Sequence, residues 1–308
     1  MTKAFVFPGQ GSQSVGMLAD LANDYNTVVQ TFSEASETLG YDLWQLVQHG
    51  PAEDLNSTDK TQPAMLAAGV AVWRVWHEQG GTTPQMMAGH SLGEYSALVC
   101  ADVIEFADAL KLVEDRGRFM QAAVPAGVGA MAAVLGMEDD AVIKVCESVA
   151  QDQVVEAVNF NSPGQVVVAG HVDAVNRAVN AATEAGAKKA ILLPVSVPSH
   201  CALMKPAAEQ LQVRMADLEF KAPKIPVLHN VDASVAADPL KIKEALVRQL
   251  YQPVRWVDCV NSMLSNNVTG FVECGPGKVL AGLSKRIARR VPVFPVYDKG
   301  TLEKALAE

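Results

Sequence analysis

Short blocks of consecutive apolar residues recur along the chain, separated by longer stretches of helical periodicity. This is the pattern of buried parallel strands connected by covering helices. The first block, Lys3 to Phe7, leads into the loop Pro8-Gly-Gln-Gly-Ser-Gln-Ser-Val-Gly16 and a helix. Helices are predicted over Tyr25 to Leu39 and Leu43 to His49. A stronger one runs from Ala64 to Gln79, with Pro63 in its first turn and Gly80-Gly81 closing it. Met86 to Ala88 reads as the end of a buried strand, and a helical pattern with Tyr95, Leu98 and Val99 follows. From Asp102 to Met120 an apolar stripe runs through Phe106, Leu110, Val113, Gly117 and Met120. Further on come a strand (Ile225 to Leu228), a helix (Leu240 to Leu250) and a strand (Gly270 to Cys274). The loop Gly275-Pro-Gly-Lys278 then opens a basic helix through Lys285, Arg286, Arg289 and Arg290.

The pattern changes near Val124-Pro-Ala-Gly-Val-Gly129. Strands at Ala130–Leu135, Val154–Asn159, Gln165–Ala169 and Lys189–Pro194 alternate with helices at Asp139–Ala150 and Val172–Ala185. This βαββαβ order is that of the split βαβ, ferredoxin-like unit. The predicted organisation is α/β: a large domain with a parallel sheet over 1–125 and 197–308, and an inserted ferredoxin-like α+β subdomain over 126–196.

Composition narrows the function. Hydrophobic residues make up 49% and charged residues 19%, as in a well-buried globular enzyme. The net charge of −9 argues against general binding to nucleic acid or an anionic membrane. No apolar run reaches the roughly 18 residues that a span needs, and the N-terminus enters a strand directly, without a signal-peptide core. Cys100, Cys146, Cys201, Cys259 and Cys274 are scattered, odd in number and without Cys-x-x-Cys spacing. Free thiols in a reducing cytoplasm are expected, and no zinc site.

The candidate chemistry centres on Gly89-His-Ser-Leu-Gly93, a Gly-x-Ser-x-Gly at a strand-to-helix turn. Such a turn presents Ser91 as a nucleophile, with the start of the following helix facing any oxyanion. The glycine-rich loop after the first strand offers a second oxyanion donor, by position the Gln10 backbone N–H; an ordinary strand-helix connection would read the same. Arg116 lies on the edge of the inward face of its helix, whereas Arg118 lies among Lys111, Glu114, Asp115 and Gln121 and faces solvent. A buried guanidinium needs an anion, either a structural carboxylate or a substrate's. Of the six histidines, His200 falls just past Pro198, where the chain re-enters the large domain, and is the candidate base; His90 is its rival. Between Ser91 and His200 no acidic residue follows a strand of the main sheet, so a Ser-His-Asp triad is poorly supported.

Phe7-Pro-Gly-Gln-Gly-Ser-Gln13, Thr61-Gln-Pro-Ala64, Gly89-His-Ser-Leu-Gly-Glu94, Glu114-Asp-Arg-Gly117, Asn159-Phe-Asn-Ser-Pro-Gly-Gln165, Pro198-Ser-His200 and Glu273-Cys-Gly-Pro-Gly-Lys278 together resemble the malonyl-CoA:acyl carrier protein transacylases of bacterial fatty-acid synthesis. The resemblance implies an α/β-hydrolase-like large domain, a Ser91–His200 dyad and no cofactor. It also implies oxyanion donors at the Gln10 and Leu92 backbone N–H groups, and a malonyl carboxylate on Arg116. A main-chain carbonyl at Gln249 would orient His200, which accounts for the missing acid.

The expected activity is transfer of malonyl from malonyl-CoA to the phosphopantetheine thiol of acyl carrier protein through a malonyl-serine, in a cytoplasmic monomer. A serine thioesterase would share the elbow without needing the cationic clamp. A non-catalytic scaffold that binds carrier protein would need neither Ser91 nor His200. Lys188 and Lys189, or the late basic cluster, are the candidate docking surface for an acidic carrier.

Overall fold

The computed structural model describes residues 1–195 and 197–308; the expected subdomain boundary at Ser196 lies outside the described residues. Five parallel strands form the main sheet: β1 (Lys3–Phe7), β2 (Met86–Gly89), β7 (Val227–Leu228), β8 (Gly270–Cys274) and β9 (Val293–Val296), in the order β7-β2-β1-β8-β9. Alternate residues of β1 serve opposite faces. Phe5 and Phe7 join one apolar cluster with Met65, Trp76, Tyr95 and Leu110, whereas Ala4 and Val6 join another around Trp256 and Phe271. Burial on both faces explains why these strands read as unbroken apolar blocks.

A second sheet is antiparallel: β3 (Gly129–Leu135), β4 (Val155–Ser162), β5 (Gln165–His171) and β6 (Lys189–Leu192), in the order β4-β5-β3-β6. Helices Asp139–Val149 and Val172–Glu184 cover one face, through Val142, Cys146, Val175 and Ala178. Met131, Val158, Val167 and Ala169 on the other face pack on Cys201, next to His200. Backbone bonds between β4 and Val254 join the small sheet to the large unit.

Two expectations about helices need correction. The long helix spans Thr58–Glu78, so Pro63 lies inside it rather than in its first turn. Its opening turn is polar in sequence, but Thr58 and Thr61 are buried, and α-carbon packing of Asp59 against Gly117 hides the start from a pattern search. The late basic helix ends at Ile287, so only Lys285 and Arg286 lie on it; Arg289 and Arg290 occupy the turn beyond. The helix Trp256–Ser265 and the C-terminal pair of β9 and the helix Lys299–Leu306 are not predicted from the sequence pattern.

Candidate active site

The turn after β2 holds Ser91 at φ 51°, and His200 sits at φ 67°; both are in the left-handed region that side chains avoid. Such strain concentrates at functional positions. The flanking glycines are required by contact rather than by φ. A Cβ on Gly89 would lie 1.8 Å from the Gly93 carbonyl carbon, and one on Gly93 would lie 2.0 Å from the Phe7 carbonyl oxygen. The strand-to-helix turn therefore closes only with hydrogen at both sites.

Ser91 Oγ lies 2.8 Å from His200 Nε2, and His200 Nδ1 lies 2.6 Å from the Gln249 carbonyl oxygen. A carbonyl can only accept, so Nδ1 carries the proton and Nε2 is left to accept from the serine hydroxyl. Burial pushes His200 down to about 3, helped by the Arg116 charge and opposed by the Gln249 hydrogen bond. The imidazole is therefore neutral across the physiological range. His90 turns elsewhere: its Nε2 is 2.7 Å from Asn161 Oδ1, and burial lowers its basicity too.

Arg116 is 1% exposed, while Arg118 reaches solvent and pairs with Glu114 at 2.9 Å. Among the described residues Arg116 meets no carboxylate within ion-pair distance. It donates instead to Gln62 Oε1 (2.8 Å) and Gln249 Oε1 (3.1 Å), and one nitrogen stands 3.4 Å from Ser91 Oγ. Its Cζ lies 5.4 Å from the Tyr95 ring centroid. Burial works against the guanidinium charge, so a charged group has been left without its counter-ion at the nucleophile.

These side chains open on a cleft of about 210 Å³ lined by Gln10, Ser91, Leu92 and Arg116 on one side and by Met131 and Asn159 of the small sheet on the other. Among the described residues, neither the Gln10 nor the Leu92 backbone N–H has a partner within the chain. The Ser91 N–H is occupied by Asn230 Oδ1 at 2.7 Å.

Several residues around the site escape the sequence reading. Gln62, Asn230 and the side chain of Gln249 all contact Arg116 or the Ser91 backbone. Glu94, which closes the Gly89-His-Ser-Leu-Gly-Glu94 motif and is given no role from sequence, is fully buried and takes hydrogen bonds from His229, Asn230 and Gln249. Burial alone would lower His229, but the hydrogen bond and charge of Glu94 outweigh it and raise it. For Gln62 the sequence offered one signal, its place in the Thr61-Gln-Pro-Ala64 motif. Glu273, in the last of the quoted motifs, is structural: it accepts the Leu280 and Ala281 N–H groups and caps the helix Val279–Ile287.

A serine hydroxyl shared between an imidazole and a guanidinium suits acyl-group chemistry, and a family model described as "Acyl transferase domain" matches residues 4–297. The fold and the site thus define an acyltransferase-domain protein. Within that class the chain belongs to the malonyl CoA-acyl carrier protein transacylases. A Salmonella typhimurium protein of that name is 59% identical over 99% of both chains. A solved acyl carrier protein S-malonyltransferase from Vibrio cholerae superposes with TM-score 0.97 at 62% identity, covering 99% of each chain. A malonyl-transacylase solved in complex with a type II PKS acyl-carrier protein superposes with TM-score 0.99 at 56% identity, covering 100% of this chain and 99% of the other.

Proposed function

We propose that this protein transfers a malonyl group from malonyl-CoA to the phosphopantetheine thiol of an acyl carrier protein, through a malonyl ester on Ser91. The observation that carries the reading is the unpaired Arg116 guanidinium 3.4 Å from Ser91 Oγ. In a malonyl thioester one methylene separates the carboxylate from the thioester carbon. A carboxylate seated on Arg116 therefore brings its own carbonyl to the serine, and the ion pair neutralises the charge that the fold leaves bare.

In the first half-reaction His200 Nε2 takes the Ser91 proton as Oγ attacks the thioester carbon. The carbonyl oxygen becomes an oxyanion, and the free Gln10 and Leu92 N–H groups are the donors placed to hold it. The C–S bond then breaks, and the coenzyme A sulfur leaves with the proton from His200. In the second half-reaction the carrier thiol gives its proton to His200 and attacks the ester. The C–O bond breaks and Ser91 regains its proton. Every step uses groups of the chain itself, so we propose no cofactor.

The same reading takes 1–125 and 197–308 as an α/β-hydrolase-like domain and 126–196 as a ferredoxin-like subdomain, supported by the parallel and antiparallel sheets and by the β4-β5-β3-β6 order. A cytoplasmic monomer is proposed with it. No helix among the described residues is long and apolar enough to cross a membrane.

Arg116→Ala tests the proposal. Malonyl transfer should weaken by about 2–5 kcal/mol, the cost of leaving a buried charge partner unpaired, while acetyl transfer is spared or improved. Rates of transfer from both thioesters decide it. Equal losses for the two acyl groups would make Arg116 a structural residue and reopen the hydrolase reading.

The carrier surface gives a second expectation. Lys188 and Lys189 are exposed at β6, whose continuation through Leu193, Pro194 and Val195 lines the mouth of the cleft. Lys285 and Arg286 are exposed too, with Arg286 bonded to Gln165 of β5 at 2.6 Å. An acidic carrier meeting a chain of net charge −9 needs such local positive potential. Charge reversal at the true patch should raise the carrier KM and flatten its salt dependence, leaving the malonyl-CoA half-reaction near normal. Carrier kinetics untouched at low salt after reversal of either cluster would move the docking surface elsewhere.

A further inference from the structure

We propose that Glu94 is a positioning residue that sets the nucleophile, the base and the clamp from a single buried carboxylate. The inference rests on the reading above for the roles of Ser91, His200 and Arg116.

Glu94 is 0% exposed and does not itself line the cleft, yet its two carboxylate oxygens collect three donors. Oε1 accepts from His229 Nδ1 at 2.8 Å; Oε2 accepts from the Asn230 backbone N–H at 2.9 Å and from Gln249 Nε2 at 2.8 Å. Each of the last two controls a different part of the site. Asn230 takes the Ser91 N–H on its Oδ1 (2.7 Å) and donates Nδ2 to the Gly89 carbonyl (2.7 Å), so it clasps both sides of the strained elbow. Gln249 donates to the Ser91 carbonyl (3.0 Å), presents Oε1 to Arg116 (3.1 Å) and, through its own carbonyl, turns His200 (2.6 Å).

The chemistry of an amide explains why a fixed hydrogen-bond acceptor is needed at this position. Gln249 and Asn230 must each direct a specific face, oxygen to Arg116 and oxygen to the Ser91 N–H respectively. Terminal amides rotate between two nearly isosteric orientations. An oxygen that accepts Gln249 Nε2, alongside the Ser91 carbonyl, pins the oxygen of that side chain toward Arg116. By accepting the Asn230 backbone N–H it also fixes the residue from which the elbow is clasped. Glu94 further places a negative charge behind Gln249, close enough to favour the Arg116 cation without occupying it. The clamp thus stays open to a substrate carboxylate.

Three variants test this, read in protein shown to be folded by circular dichroism. The readouts are the rate of Ser91 labelling by a fluorophosphonate and the ratio of malonyl to acetyl transfer. Glu94→Ala should slow labelling by about 10–10²-fold, the range seen when supporting hydrogen bonds of a site are lost, and should lower the malonyl-to-acetyl ratio. Glu94→Gln should restore most of both. Its amide oxygen can face Gln249 and Asn230 while its NH₂ donates to a neutral His229. Asn230→Ala should slow labelling and leave the ratio in place, because it supports the elbow but not Arg116.

A merely structural Glu94 would lower thermal stability and leave both readouts of the folded protein unchanged; that result overturns the proposal. So does a Glu94→Gln variant as impaired as Glu94→Ala. If Glu94→Ala does not fold, Glu94→Gln and Asn230→Ala decide: loss of labelling in the first, or normal labelling in the second, overturns it. The fluorophosphonate reports Ser91 whatever acyl group the enzyme carries. Failure of the malonyl reading would instead show as wild-type protein that labels but forms no malonyl adduct.

Discussion

Ser91→Ala should form no covalent adduct with malonyl-CoA, and transfer to carrier protein should fall by on the order of 10⁶-fold, the loss seen when the nucleophile of a serine enzyme is removed. Among the described residues Ser91 is the one hydroxyl with a histidine nitrogen at 2.8 Å, and it sits on a left-handed turn beside the Arg116 guanidinium. Alanine keeps the strained φ and the Asn230 clasp on the backbone N–H, because neither depends on Oγ. The fold should therefore survive, and the lost activity can be assigned to the hydroxyl. Intact mass after malonyl-CoA, with and without carrier protein, reads the result. A malonyl adduct of normal stoichiometry on the alanine variant would place the nucleophile elsewhere.

How much of this site a sequence displays depends on how local each interaction is. The elbow is local: Gly89, Ser91 and Gly93 lie within one turn, and the clash that demands glycine involves Gly93 and the neighbouring β1. Arg116 shows itself as a cation on an apolar face. The parallel and antiparallel sheets are both legible, because strands buried on two faces and a βαββαβ alternation leave distinct patterns. Gln62, Asn230 and Glu94 are different. Their roles depend on contacts between segments far apart in the chain, and a neutral amide or a carboxylate at a helix start resembles ordinary surface chemistry until its partners are known. The missing acid of a triad is a similar case. A backbone carbonyl orients His200, and backbone groups carry no residue-type signal.

The C-terminal elements were hidden for a physical reason too. β9 contains Pro295, which cannot donate to a ladder, and β9 lies at the sheet edge, where proline is tolerated. The helix Lys299–Leu306 buries little besides Leu302 and Ala305 and is fixed by the Asp298–Thr301 capping box, a shorter signal than an apolar stripe.

His200→Ala should slow both half-reactions by roughly 10²–10⁴-fold, the contribution of a positioned general base. The fold prepares this residue in a particular protonation state. Its folded value of about 3 lies below the unperturbed histidine value of 6.5, so the neutral, proton-accepting form dominates down to acidic pH. The sign for activity follows. Acylation in the wild-type protein should keep its rate as pH falls through 6.5, with the acid limb of kcat/KM lying well below that value. Burial is the larger cause and Arg116 the next, so Arg116→Ala should move the acid limb upward in pH, and replacement by lysine should leave it lower than alanine does. The same displacement acts on stability. The unfolded chain takes up a proton at His200 from about pH 6.5 downward while the folded chain does not, so this group favours unfolding progressively between that pH and its folded value. In His200→Ala that contribution and the histidine-dependent acid limb should both disappear. Rates of malonyl-serine formation from pH 4 to 8 test it, and unchanged turnover in His200→Ala would transfer the role of base to His90 despite its bond to Asn161.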